Sequence, residues 1–175
     1  MHAQGIFVAP LSAVQWIYKE EAPSHIVSLL APEGVSAPVF AGHSRQLVLY
    51  FNDIVEPRDG LIPPARRHAH ELIDFLKSWR AEAPLLIHCW AGVSRSTAAA
   101  YIALCLFNPA VSEDRLARLL RRRAPEATPN ALLVEHGDRL LGRGGRMSRA
   151  IAAIGRGREA FEGTPFTLPH PAGRA

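Results

Sequence analysis

Long apolar runs, cysteines and secretion signals are scarce in this chain of 175 residues, and each scarcity excludes a class of protein. No stretch approaches the roughly eighteen consecutive apolar residues of a membrane helix. The start, MHAQGIFVAP, lacks the basic region, apolar centre and small-residue cleavage site of a secretory signal. The two cysteines, Cys89 and Cys105, each lie in an apolar segment, which argues against a disulfide framework or a CxxC metal site. We therefore expect a cytoplasmic protein without a membrane span.

The net charge is also small, and its excess of +4 is unevenly distributed. Residues 142–175 contain six arginines and two glutamates, so this tail carries the whole excess and residues 1–141 are neutral overall. The tail has neither the interleaved aromatics of a single-strand groove nor zinc-finger spacing, so we expect no nucleic acid partner. One domain at 1–141, followed by a basic extension at 142–175 that packs on it or trails from it, fits this pattern.

Strand and helix patterns alternate along the chain. The predicted strands are GIFVAP, SHIVSLLAP, RQLVLYF and APLLIHC. The predicted helices are SAVQWIYKE, residues 64–80, residues 96–107, the segment after Ser112, NALLVEHGDRLL behind a Thr128-Pro129 start, and RMSRAIAAI. The glycines and prolines after residue 154 predict an irregular end. The fold class is α/β, with a central, mostly parallel sheet flanked by helices.

The stretch IHCWAGVSRST at residues 87–97 joins a buried strand to a buried helix. Ligands bind beyond the carboxyl ends of parallel strands, and Cys89 is predicted at that end of a central strand. Gly92 lets the connection curl, so that backbone N–H groups and the positive end of the helix converge. Arg95 adds a planar fork of donors that suits two phosphate oxygens. Residues 90–95, named here the cradle loop, should therefore bind a phosphate-like anion and stabilise the Cys89 thiolate.

These residues resemble the signature of the cysteine-dependent protein tyrosine and dual-specificity phosphatases. HCWAGVSRS matches the pattern His, Cys, five residues, Arg, Ser or Thr at every position, and RRRAPEATPN is similar to a segment downstream of the loop in dual-specificity members. The resemblance covers residues 5–141, is strongest to compact bacterial-type members, and implies a protein tyrosine phosphatase-like fold. It also implies hydrolysis of a phosphorylated protein or small phosphomonoester through a cysteinyl-phosphate, without metal or cofactor.

The resemblance implies a role for each residue of the signature. Cys89 would be the nucleophile and Arg95 the phosphate clamp, with Ser96 donating a hydrogen bond to the sulfur and His88 ordering the loop through the backbone. The phosphate-binding residues would be Trp90, Ala91, Gly92, Val93, Ser94 and Arg95.

The family also uses an aspartate, because an alkoxide or phenolate leaves poorly until it is protonated. Asp53 in LYFNDI and Asp59 in EPRDGL are the candidates. We favour Asp53, which directly follows a strand, over Asp59, since Asp-Gly is itself a turn signature. Asn130 could brace the loop, although a helix-cap role alone would account for it.

The cradle loop contains no lysine, which disfavours a highly charged inositol lipid as substrate and favours a phosphoprotein or a small phosphomonoester. Nothing in the sequence chooses between phosphotyrosine and dual specificity. His68, His70 and His136 have no ligand partners at a convincing spacing, so no metal site is expected. The alternatives are a non-catalytic phosphate-binding module, and a sulfurtransferase or arsenate reductase that uses the same cysteine.

Overall fold

The computed structural model describes residues 5–42 and 44–169, and helices alternate with strands over most of this length. The strands are β1 (Gly5–Pro10), β2 (His25–Leu30), β3 (Arg45–Tyr50), β4 (Leu85–Cys89) and β5 (Phe166–Pro169). The helices are α1 (Val14–Glu21), α2 (Arg66–Ser78), α3 (Arg95–Phe107), α4 (Glu113–Arg123), α5 (Ala131–Leu140) and α6 (Arg146–Ile154). Arg174 of the predicted basic extension lies outside the described residues.

The five strands form one sheet in the order β3-β2-β4-β1-β5, in which the first four are parallel and β5 is antiparallel to β1. The predicted central, mostly parallel sheet is therefore confirmed. β4 is buried along its whole length, as its unbroken apolar sequence indicates for a strand covered on both faces. Its neighbours β1 and β2 bring Pro10 and Leu29 opposite Cys89, so three carboxyl ends meet there.

Two helices illustrate how apolar spacing sets the packing. α2 buries a stripe of Ala69, Leu72, Ile73 and Leu76, and it runs over Arg66–Ser78 rather than over the predicted residues 64–80. α3 is buried from its first residue to Cys105, because nearly every side chain around it is small or apolar. None of the helices within residues 5–42 and 44–169 combines the length and the apolar composition that a membrane span requires.

The predicted irregular end is correct for residues 155–165, which form neither helix nor strand, and wrong for Phe166–Pro169, which forms β5. Four residues are too few to show an alternating pattern, and the flanking prolines read as turn signals. An edge strand tolerates proline at its end, because the N–H that proline lacks is not needed there for pairing with the neighbouring strand. Pairing with β1 fixes this strand, and Leu168 is fully buried.

Buried carboxylates attach the basic tail to the rest of the fold. Glu113 accepts hydrogen bonds from Arg143 Nη1 and Arg146 Nε, both at 3.1 Å. Burial opposes the charge on Glu113, but its own backbone N–H and the two arginines hold the pKa of its carboxyl below the usual value. Asp138 accepts from the Gly145 and Met147 N–H groups, both at 2.6 Å, and so satisfies the start of α6. Part of the basic excess is therefore neutralised inside the fold.

Candidate active site

The cradle loop leaves β4 at the centre of the sheet and leads directly into α3. Cys89 is the last residue of β4 and is only 2% exposed. α3 begins at Arg95, so the positive end of a 13-residue helix lies at the loop. Strand, loop and helix thus place the cysteine beside backbone N–H groups that suit an anion.

Two groups lie within hydrogen-bonding distance of the Cys89 sulfur. The Gly92 N–H donates to Sγ at 3.2 Å, and Ser96 Oγ lies 3.2 Å from Sγ. Gly92 has a φ of +71°, a left-handed conformation that glycine adopts at little cost. A Cβ at this position would lie 2.6 Å from the backbone nitrogen of Pro10. The curl that aims the N–H at sulfur therefore requires glycine.

Arg95 is buried beneath the loop, with 7% of the residue exposed. Its Nη1 donates to the carbonyl oxygen of Phe51 at 3.0 Å, which fixes the guanidinium plane. Its Nε is also buried but has no hydrogen-bond partner within the described part of the chain. A buried donor without an acceptor costs free energy, and an oxyanion held by the loop would satisfy it.

His88 is fully buried, and its hydrogen bond differs from the predicted one. Nε2 lies 2.7 Å from Ser28 Oγ, a side chain of the neighbouring strand β2, whereas Nδ1 makes no hydrogen bond of normal geometry in the described residues. Burial lowers the pKa of His88 to about 4, and the Cys89 backbone offsets part of that effect. A neutral imidazole therefore ties β4 to β2 at the residue before the cysteine.

The two candidate acids occupy different surroundings. Asp53 Oδ1 accepts hydrogen bonds from Ser94 Oγ at 2.7 Å and from Asn130 Nδ2 at 2.8 Å, so Asp53 lies at the cradle loop. Asp59 is exposed and belongs to the turn at Gly60, where φ is +75°. The structure brings Asp53 to the signature residues and leaves Asp59 in the turn that its sequence predicts.

Asn130 both caps a helix and braces the loop, whereas the sequence suggested these roles as alternatives. Its Oδ1 accepts from the Leu133 N–H at 3.0 Å, which makes Asn130 the N-cap of α5 in place of the predicted Thr128-Pro129 start. Its Nδ2 donates to Asp53 and also to the Ile54 carbonyl at 3.2 Å. One amide therefore positions the helix and the aspartate together.

A segment that the sequence did not connect with the site also lies against the cradle loop. The Gly163 N–H donates to the Ala91 carbonyl at 2.8 Å, and the Trp90 and Phe161 rings meet edge to face with centroids 5.3 Å apart. Residues 155–165, named here the C-terminal segment, thus border the loop. Trp90 is 45% exposed and Phe161 is 82% exposed. A large aromatic residue, Phe161, within a glycine-rich stretch was the one signal in the sequence.

The second cysteine takes no part in the site. Cys105 is fully buried on α3, and burial raises the pKa of its thiol to about 12, with the Tyr101 hydroxyl and Arg143 opposing part of that effect. A thiol in such surroundings is a poor nucleophile at neutral pH.

Sequence comparison finds no relative, since no family model and no curated protein matches the chain. Solved structures do match. DUSP15 superposes with a TM-score of 0.62 at 16% identity, over 87% of this chain and 94% of that chain. The human tyrosine phosphatase-like serine/threonine/tyrosine-interacting protein gives 0.63 at 20%, over 82% and 95%. The chain has the fold of the tyrosine and dual-specificity phosphatases.

A third match with the phosphatase fold is the Yvh1 phosphatase domain from Chaetomium thermophilum, with a TM-score of 0.58 at 21% identity over 81% of this chain and 93% of that chain. On this fold, the described residues contain no group of three or more His, Cys, Asp or Glu side chains placed to hold a metal ion.

Proposed function

We propose that the protein is a phosphomonoester hydrolase that acts on phosphorylated proteins through a cysteinyl-phosphate intermediate. One observation carries the proposal. Gly92 N–H and Ser96 Oγ both lie 3.2 Å from Cys89 Sγ, beside a buried Arg95 whose Nε lacks an acceptor among the described residues. A nucleophile and hydrogen-bond donors for an anion thus meet at one point, as phosphoryl transfer requires.

The proposed first step transfers the phosphoryl group to sulfur. The Cys89 thiolate attacks phosphorus while the bond to the leaving oxygen breaks, and the cradle N–H groups with Arg95 hold the three equatorial oxygens. Asp53 gives its proton to the leaving oxygen, so that the product departs as an alcohol or phenol. Its hydrogen bonds from Ser94 and Asn130 support this assignment, because they keep the carboxyl group at the loop.

The proposed second step releases phosphate and restores the enzyme. Asp53, now a carboxylate, accepts a proton from water as the water oxygen attacks phosphorus and the sulfur leaves as thiolate. The charge that develops on the oxygens is met by the same N–H groups and by Arg95, so one set of donors serves both steps.

The structure supports the alternatives less well. A reductase needs a second reactive thiol, and the buried Cys105 does not supply one. A module that only binds phosphate needs neither a sulfur beneath the cradle nor a carboxyl group held by Ser94. As substrate, a phosphoprotein suits a loop without lysine, because a highly charged inositol lipid would be expected to call for additional cations.

Hydrolysis of phenyl phosphate in the presence of a metal chelator tests the proposal. Wild type should turn the substrate over, and Cys89→Ser should lose all measurable activity. Asp53→Ala should lower kcat by about 10²–10⁴-fold, the usual contribution of a general acid, while Asp59→Ala keeps wild-type kcat. Absence of hydrolysis by wild type would refute the enzyme assignment. The opposite result for the two aspartates would move the acid to Asp59.

A further inference from the structure

A cavity of about 630 Å³ lies between α5, α6 and the C-terminal segment. Val93 and Ser94 of the cradle loop form one wall, and Val134 of α5 and Ile151 of α6 supply apolar surface. Ala152 lies at the α6 side of the opening. Its volume is that of a site for a small organic group or a large side chain.

The cavity adjoins the proposed phosphate site through a shared residue. Ser94 belongs to the cradle loop, donates to Asp53 and also lines the cavity. A molecule whose phosphate occupied the cradle could therefore extend along the loop into the cavity. Because one extended residue spans roughly 3.5 Å, the part that enters would lie within a few residues of the phosphorylated one.

The charged groups that line the cavity have both signs, and arginine is in excess. Arg156, Arg158 and Glu159 all line it and are exposed. Arg158 lies 3.9 Å from the buried Glu126 carboxylate, whereas Arg156 makes no ion pair among the described residues. Ser148, which also lines the cavity, has a buried hydroxyl without a hydrogen-bond partner in the same part of the chain. The lining is thus largely apolar, with two arginines and one glutamate among its exposed residues.

We propose that this cavity is a specificity site for phosphoprotein substrates, in which a large apolar side chain near the phosphorylated residue enters and an acidic neighbour meets Arg156. The proposal rests on the proposed phosphatase function and names the sequence that the enzyme prefers. The excess of arginine over glutamate in the lining carries the choice of ligand, because phosphorylated, acidic segments are anionic and Arg156 makes no ion pair among the described residues. A peptide offers an apolar side chain and a carboxylate from adjacent residues, whereas a plain acyl chain offers only the apolar group.

The test uses the full chain and six phosphotyrosine peptides, each with a single leucine at one of the three positions on either side. A seventh peptide carries alanine throughout. Wild type should hydrolyse one leucine peptide with a kcat/KM about tenfold above that of the alanine peptide, the discrimination expected of one apolar pocket. In Ala152→Trp, which fills the opening, this ratio should fall to about one.

Ala153→Trp is the matched control, since Ala153 is the next residue of α6 and lines a different depression with Arg118 and Ile154. It should keep the wild-type ratio. Arg156→Glu changes an exposed side chain and is expected to fold. This variant should lower kcat/KM by about tenfold for a peptide that has aspartate beside the leucine. The effect should be smaller for the matched peptide that has alanine at that position.

Three results would overturn the proposal. Equal kcat/KM values for all seven peptides would show that the cavity does not discriminate between side chains. An unchanged leucine preference in Ala152→Trp would place that preference elsewhere. In the third result, Ala152→Trp lowers kcat/KM for a long-chain alkyl phosphate but leaves the leucine-to-alanine peptide ratio at its wild-type value. This result would identify a lipid site. Failure of the phosphatase function is recognised separately, because wild type would then hydrolyse no phenyl phosphate.

Discussion

The buried His88 predicts how stability depends on pH. The ring belongs to the residue before Cys89, is fully buried and reaches Ser28 Oγ at 2.7 Å. Burial lowers its pKa from 6.5 to about 4. Between about pH 4 and pH 6.5, the His88 ring therefore binds a proton in the unfolded chain but not in the folded chain. Stability is therefore complete above about pH 6.5 and falls as the pH drops towards 4.

The size of the effect follows from the two pKa values. At about pH 5, a histidine that titrates near 6.5 when unfolded and near 4 when folded removes roughly 2 kcal/mol of unfolding free energy relative to pH 7.5. The loss tends to about 3 kcal/mol well below pH 4. Burial also lowers the pKa values of His25 and His68, so they add to the fall in the same direction.

Replacement of His88 isolates its share, because the other groups titrate in both proteins. Urea unfolding followed by circular dichroism at about pH 7.5 and pH 5 gives the unfolding free energy of wild type and His88→Gln. The variant should lose about 2 kcal/mol less than wild type between the two pH values. Equal losses in both proteins would refute the reasoning and show that His88 takes up its proton in the folded state as readily as in the unfolded chain.

Two further predictions concern the loop and its rim. Gly92→Ala should lower the unfolding free energy by about 2–4 kcal/mol in the same urea assay, because the backbone is left-handed and the new Cβ would approach Pro10 N. Gly142→Ala is the control and should lose about 1 kcal/mol, because φ is +64° but no neighbour lies within 4 Å of the added Cβ. Phe161 should help to hold aromatic substrates, because its ring packs against Trp90 of the cradle loop. Phe161→Ala should therefore lower kcat/KM for phenyl phosphate about 3–10-fold and change it little for an alkyl phosphate. An equal fall for both substrates would contradict this role.

Local sequence patterns were sufficient for the elements with strong periodicity. The stripe of α2 and the unbroken apolar run of β4 are each long enough to identify one element. The spacing from Cys89 to Arg95 located the cradle loop for a similar reason, since the strand, the curl at Gly92 and the helix start are consecutive in the chain.

Contacts between distant segments could not be predicted in the same way. β5 exists because β1 offers a free edge, and its four residues carry no periodicity of their own. Asn130 reaches Asp53 from 77 residues away, so the sequence could suggest that Asn130 braces the loop but not that Asp53 is its partner. Likewise, Gly163 meets Ala91 only after the tail folds back, and the glycines of this segment predict only an irregular end.

Direct detection of a phosphorylated Cys89 tests the central proposal. The enzyme is mixed with para-nitrophenyl phosphate, quenched in acid within milliseconds, digested and analysed by mass spectrometry. The peptide that contains Cys89 should gain about 80 Da, the mass of one phosphoryl group, and the gain should be absent in Cys89→Ser. Rapid hydrolysis with no phosphoryl group on Cys89, or with the group on another residue, would contradict the account.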